Sequence, residues 1–151
     1  MDLWTHEQRV RLAFEEKILR NEMPDFWWED RITRGATKVK GYYTSSADNF
    51  YKICIWIRAN YPDTMPDMYI ISPSPLRGYG RTRISSYGTS HDMHVWESDW
   101  NDYVKICHWK DEYWSSSNTI LGVLMKGFLW LEALEVHRRT GRSIDAYSLS
   151  F

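Results

Sequence analysis

Eight residues, "FYKICIWI" at 50–57, constrain the fold more than any other stretch of this chain. They alternate without a break. Tyr51, Ile53, Ile55 and Ile57 fall on one side of an extended backbone, and Lys52, Cys54 and Trp56 on the other. Such a segment belongs in a sheet with one face against a core, so the chain must supply neighbouring strands and a layer to cover that face. "TKVKGYY" (37–43), followed by the turn-forming "SSADN", is the strand before it. "MYIIS" (68–72), reached through the proline-punctuated "YPDTMPD", is the strand after it.

Two helical patterns supply the covering layer. Residues 5–20 predict an amphipathic helix: Thr5 and Gln8 have capping-box spacing, and Val10, Phe14 and Ile18 recur every four residues as a stripe expected to face the core. Met23-Pro24 ends it, because the residue before proline avoids helical geometry. The stronger pattern runs from Thr119 to Arg139, with Ile120, Leu124, Phe128, Leu131 and Leu134 as its stripe. Arg138 and Arg139 lie near its C-terminus, and Gly141 follows as a left-handed stop. Helix, strands, long loop and helix together predict an α+β sandwich, one antiparallel sheet with helices on one face, over 1–151 as a single domain. Ile53, Ile55, Leu124 and Phe128 are expected in one core.

Composition narrows the partners. A net charge of −1 gives no electrostatic footprint for nucleic acid or an anionic membrane. The stretch from Pro73 to Ser90 carries Arg77, Arg81, Arg83, Tyr79 and Tyr87, residue types that stack on single-stranded bases, but in a neutral chain it reads as a solvated loop. The longest apolar region, Ile120 to Leu134, contains Lys126 and Glu132 and is too short to span a bilayer. No nucleic-acid or membrane partner is therefore expected. The N-terminus is interrupted by charge and does not read as a leader. Two cysteines make no disulfide framework, which points to a reducing cytoplasm. Nine tryptophans in a 16% aromatic chain predict an aromatic-rich core.

The two cysteines differ in setting. Cys54 lies mid-strand, where a thiol is a small hydrophobe. Cys107 ends the apolar run "YVKIC" and opens a polar loop holding His108, Lys110, Asp111 and Glu112, a boundary where a thiol can ionise and be reached. His91, His94, Cys107 and His108 offer zinc-type ligands within seventeen residues. Adjacent Cys107 and His108 would point to opposite faces of a continuing strand, however, and no second ligand pair completes a tetrahedral set. "GYGRTR" (78–83) lacks the third glycine of a dinucleotide loop, and there is no Walker lysine, Gly-x-Ser-x-Gly elbow or deaminase Pro-Cys-x-x-Cys. A papain-like hydrolase would need a downstream base, for which His137 is the candidate. No cofactor is implied. The residues alone leave Cys107 as a nucleophile, a metal ligand or a buried thiol.

Taken together, the N-terminal helix, "YPDTMPDMYI" (61–70), "VKICHWKDEYW" (104–114) and the Ser/Thr-initiated helix "SSSNTILGVLMKGFLWL" resemble the ubiquitin-conjugating enzyme family over nearly the whole chain. The resemblance implies that family's fold: an N-terminal helix, an antiparallel meander sheet, an active-site loop and a long C-terminal helix. It also implies that Cys107 forms a thioester. The family's His-Pro-Asn triplet is absent. Without gaps its place holds Glu97, Ser98 and Asp99, and the nearest substitute is "HVW", His94 to Trp96. The Trp130-Leu131 pair, Glu135 and Thr140-Gly141 are similar to the prokaryotic branch. Some members of that branch stand beside a cGAS-like nucleotidyltransferase in bacterial antiphage operons and form a covalent link with its C-terminus. By this resemblance the partner is the C-terminus of such a nucleotidyltransferase or of a ubiquitin-like protein. His94 is expected to replace the asparagine as oxyanion donor through a neutral imidazole, with Asn101, His108 and Asp111 as supporting residues. Family members without a working cysteine act as binding modules, which is the alternative.

Overall fold

A computed structural model of the chain describes residues 2–100, 102–106 and 111–147. The architecture is α+β. Helix α1 (His6–Glu22) leads into strands β1 (Trp27–Glu29), β2 (Lys38–Thr44), β3 (Phe50–Trp56) and β4 (Asp67–Ser72), which form an antiparallel meander. After an irregular stretch come β5 (Val95–Trp96) and β6 (Val104–Ile106), then the long helix α2 (Ile120–Thr140). The six strands make one sheet in the order β1-β2-β3-β4-β6-β5.

Alternation in β3 sets the two faces. Val39, Ile55, Met68, Ile106 and Val95 pair in one row across five strands, and all five are buried. The next row, Lys40, Cys54, Tyr69, Lys105 and Trp96, points the other way. α2 lies on the apolar face. Phe128 stacks on Tyr43 with ring centroids 4.4 Å apart, and Met68 reaches Gly127, where any Cβ would collide with its thioether. The missing side chain of Gly127 thus leaves the room that the Met68 thioether fills. Four of the five stripe residues expected on α2 are buried, and Phe128 is half-buried against the same core. Gly141, at φ 76°, is the left-handed stop.

The capping box of Thr5 and Gln8 is formed, and Met23 caps the other end of α1. Its buried face differs from the expected stripe. Val10 and Phe14 are 58% and 57% exposed, whereas Leu12, Glu15 and Leu19 are buried. Steps of four residues drift about 40° each around a helix of 3.6 residues per turn, so the apparent stripe winds off the core. The true line contains a carboxylate, which hydropathy discards. Glu15 is kept by hydrogen bonds: the Tyr61 hydroxyl donates to it, as does the Ile120 N–H at 3.2 Å, and Arg11 pairs with it at 3.6 Å. Burial still raises its pKa above the ordinary value, against the pull of Tyr61 and Arg11.

On α2, Glu132 and Glu135 hold the β2–β3 turn. Tyr43 and Ser46 donate to Glu132, while Asn49 and Tyr51 donate to Glu135 at 2.9 and 2.7 Å. Among the described residues no helix is long and apolar enough to cross a membrane.

Candidate functional site

The chain leaves β4 through an irregular stretch containing two short 3-10 turns, Tyr79–Arg81 and Ile84–Tyr87. It returns as "HDMHVW". Ser90 and Val95 exchange backbone hydrogen bonds at 2.9 and 3.0 Å, closing a loop around His91 to His94. Met93, His94 and Val95 are buried in succession. His94 breaks the extended run with a φ of 51°, in the left-handed region. The break lets both Met93 and His94 turn inward. Trp130 of α2 donates its indole N–H to the Met93 carbonyl at 2.9 Å, and the Asp145 N–H donates to the Asp92 carbonyl at 2.8 Å. Helix and C-terminal turn thus grip the loop from two sides.

His94 is 5% exposed, and its Nε2 lies 2.8 Å from Asp145 Oδ1. A carboxylate only accepts, so the pair places the ring proton on Nε2 and leaves Nδ1 the acceptor in the neutral ring. A neutral His94 spends its one N–H on Asp145. Asp145 carries no motif. No sequence signal links it to His94, fifty-one positions earlier.

Val95 pairs with Ile106, which also pairs with Met68 on the other side. His94 is therefore next in sequence to one member of this pair, and Cys107 is next to the other. Cys107, His108 and Asn101 lie outside the described residues, and so does the side chain of Asp111, whose backbone begins the 3-10 turn Asp111–Tyr113. Beyond that turn Trp114 is half-buried against the core and donates its indole N–H to the Pro62 carbonyl at 2.8 Å. Pro62 sits in a turn that α1 secures: Gln8 donates to the Ala59 and Tyr61 carbonyls at 2.8 and 2.9 Å.

Beside the end of β6 is a cleft whose lining includes Arg58, Met65, Asp67, Trp96 and Lys105. Asp67 pairs with Arg58 and, at 3.5 Å, with Lys105. Tyr69 donates to Asp99 at 2.5 Å, a bond that holds the Asp99 carboxyl below its usual range. Trp100 stands edge-on to Trp56, Tyr69 and Tyr103. The tryptophans are thus divided between the core and this outer face.

Two other candidates resolve structurally. Cys54 is fully buried and its thiol is pushed up to about 11 by burial, which keeps it protonated and inert. His137 accepts from the Tyr79 N–H at 3.2 Å through Nε2 and donates to the Arg142 carbonyl at 2.6 Å through Nδ1. Both nitrogens serve the backbone, so His137 is not a general base.

No protein family, curated protein or solved structure matches the chain.

Proposed function

We propose that the chain is a cysteine-dependent acyl transferase of the ubiquitin-conjugating type, with Cys107 as its nucleophile. The observation that carries this reading is the Trp114–Pro62 hydrogen bond. It joins the two motifs on which the resemblance rests, the Tyr-Pro turn and the tryptophan after the cysteine. The segment holding Cys107 is thereby tied at both ends, by Ile106 in the sheet and by Trp114 on the turn. The order of N-terminal helix, four-stranded meander, cysteine and long helix supports the same reading.

In this mechanism the Cys107 thiolate attacks the carbonyl carbon of an activated acyl group at a protein C-terminus. The donor's leaving group departs and a thioester remains on Cys107. An incoming amine then attacks that thioester, loses a proton, and expels the Cys107 thiolate as an amide forms. The oxyanion of each step needs a donor. His94, held in place by Asp145, serves as one. The acyl partner is the C-terminus of a nucleotidyltransferase of antiphage signalling or of a ubiquitin-like protein.

The test is a trapped adduct. The chain is incubated with candidate partners and the acyl-activating system, then resolved by intact-mass spectrometry. A thiol-sensitive adduct on the wild type, and an alkali-labile one on Cys107→Ser, are expected. Stable non-covalent binding with no adduct under any activating condition would replace the enzyme with a binding module.

A further inference from the structure

We infer that His91, His94 and Asp145 form a binding site for a divalent transition cation of the zinc class. The ligand atoms of the three side chains all lie within 4.8 Å of one another. Asp145 Oδ1 is the hub, 2.8 Å from His94 Nε2 and 4.0 Å from His91 Nδ1. Tetrahedral zinc ligands at about 2.0–2.1 Å from the metal stand about 3.3 Å apart, and the two separations straddle that value. Drawing the widest separation in the set, no more than 4.8 Å, to that value takes a shift of up to about 1.5 Å, which His91 can make because its side chain is 64% exposed.

The arrangement is held by more than the His94–Asp145 hydrogen bond. His91 and His94 are brought to one side by a turn in which the His94 N–H donates to the His91 carbonyl at 3.1 Å, and their rings meet at 5.3 Å. Asp145 is fixed from a distant part of the chain by its own N–H on the Asp92 carbonyl and by the fully buried Ile144 beside it. The left-handed backbone at His94 aims a buried imidazole at this carboxylate. Two imidazole nitrogens and one carboxylate oxygen favour zinc, cobalt or nickel over magnesium or calcium, which take oxygen ligands. Three protein ligands leave a fourth position for water. The cation clamps the 88–96 loop to the C-terminal turn. It also displaces the proton from His94 Nε2, so that in the neutral ring the proton moves to Nδ1. The site shares His94 with the proposed oxyanion donor but needs no thioester on Cys107.

The test uses cobalt(II) as a spectroscopic probe on the full chain carrying Cys107→Ala, which removes the thiol as a competing ligand. Visible d–d bands saturating at one cation per chain and bleached by zinc are expected, without thiolate charge-transfer bands. His91→Ala and Asp145→Ala, both at exposed side chains, should each weaken binding at least about tenfold. Zinc should raise the melting temperature of the parent and not that of Asp145→Ala. Absence of d–d bands at millimolar cobalt would overturn the site. So would bands of undiminished affinity in both variants, which would place the cation elsewhere.

Discussion

The two ends of the sheet are built by different means. At β2, β3 and β4 the strands are six or seven residues long, and α2 covers their inner face. At the β6–β5 end the strands are three and two residues long. Order there is borrowed from side chains: Trp130 on Met93, Asp145 on His94, Tyr69 on Asp99. The first region places apolar surface and derives its stability from burial. The second places polar groups with fixed directions, and the one non-glycine residue with positive φ that is also buried, among the described residues, is His94. Apolar burial and directed polar contacts thus concentrate at different ends of the sheet, and each region carries one of the two cysteines or leads into it in sequence.

Exchanging the cysteines tests that division most severely. Cys107→Ala should abolish the trapped adduct and leave the melting transition in place. Cys54→Ala should leave adduct formation near normal, with some loss of stability from the buried position. An alkylating reagent under native conditions should modify Cys107 and spare Cys54, whose thiol stays protonated to about 11. Faster modification of Cys54 would reverse the assignment.

Next in size is His94→Ala, which should slow transfer by about 10²–10³-fold if His94 is the oxyanion donor. A wild-type transfer rate in His94→Ala would remove His94 from the donor role and leave it as support for the loop.

A comparable free energy, spent on folding alone, is expected from Leu124→Ala. Leu124 is fully buried under the framework end, and its truncation should lower the unfolding free energy by about 2–5 kcal/mol in denaturant titrations. The half-buried Phe128, which also lines an open groove with Met125 and Leu129, should cost less on truncation. A larger loss for Phe128→Ala would mean that the groove is part of the core.

The same division explains what the sequence made legible. Strict alternation in "FYKICIWI" and the capped helix patterns follow from local rules, so β2, β3, β4, α1 and α2 are readable from one-dimensional patterns. β1 and β5, three and two residues long, are too short for a period to show. The stripe on α1 was misread because Glu15 is kept buried by Tyr61 and Ile120, residues of other elements. In the candidate site His94 stood out through its motif. Asp145, fifty-one positions later, is joined to it only by the fold.

The smallest effect concerns the two carboxylates buried in the framework end, which should respond to pH in opposite senses. Burial raises the pKa of Glu15 despite its hydrogen bonds. Burial also acts on Glu135, but hydrogen bonds from Ser45, Asn49 and Tyr51 outweigh it and hold the carboxyl low. A folded state that raises an acid's pKa binds the proton more tightly than the unfolded chain. The Glu15 contribution therefore falls as pH rises from the ordinary value of 4.5 through the raised one. A lowered pKa works the other way: the Glu135 contribution is present above the ordinary value and is lost as pH falls through the lowered one. Glutamine removes the charge in each case and keeps an acceptor oxygen. Relative to wild type, Glu15→Gln should gain stability between pH 4.5 and neutrality, staying within about 1 kcal/mol because Arg11 loses its partner. Glu135→Gln should lose stability over the acidic range as pH rises and then level off. Denaturant midpoints measured from pH 3.5 to 7.5 separate the two. A wild type that gains on Glu15→Gln with rising pH would show that Arg11 and Tyr61, and not burial, govern that carboxylate.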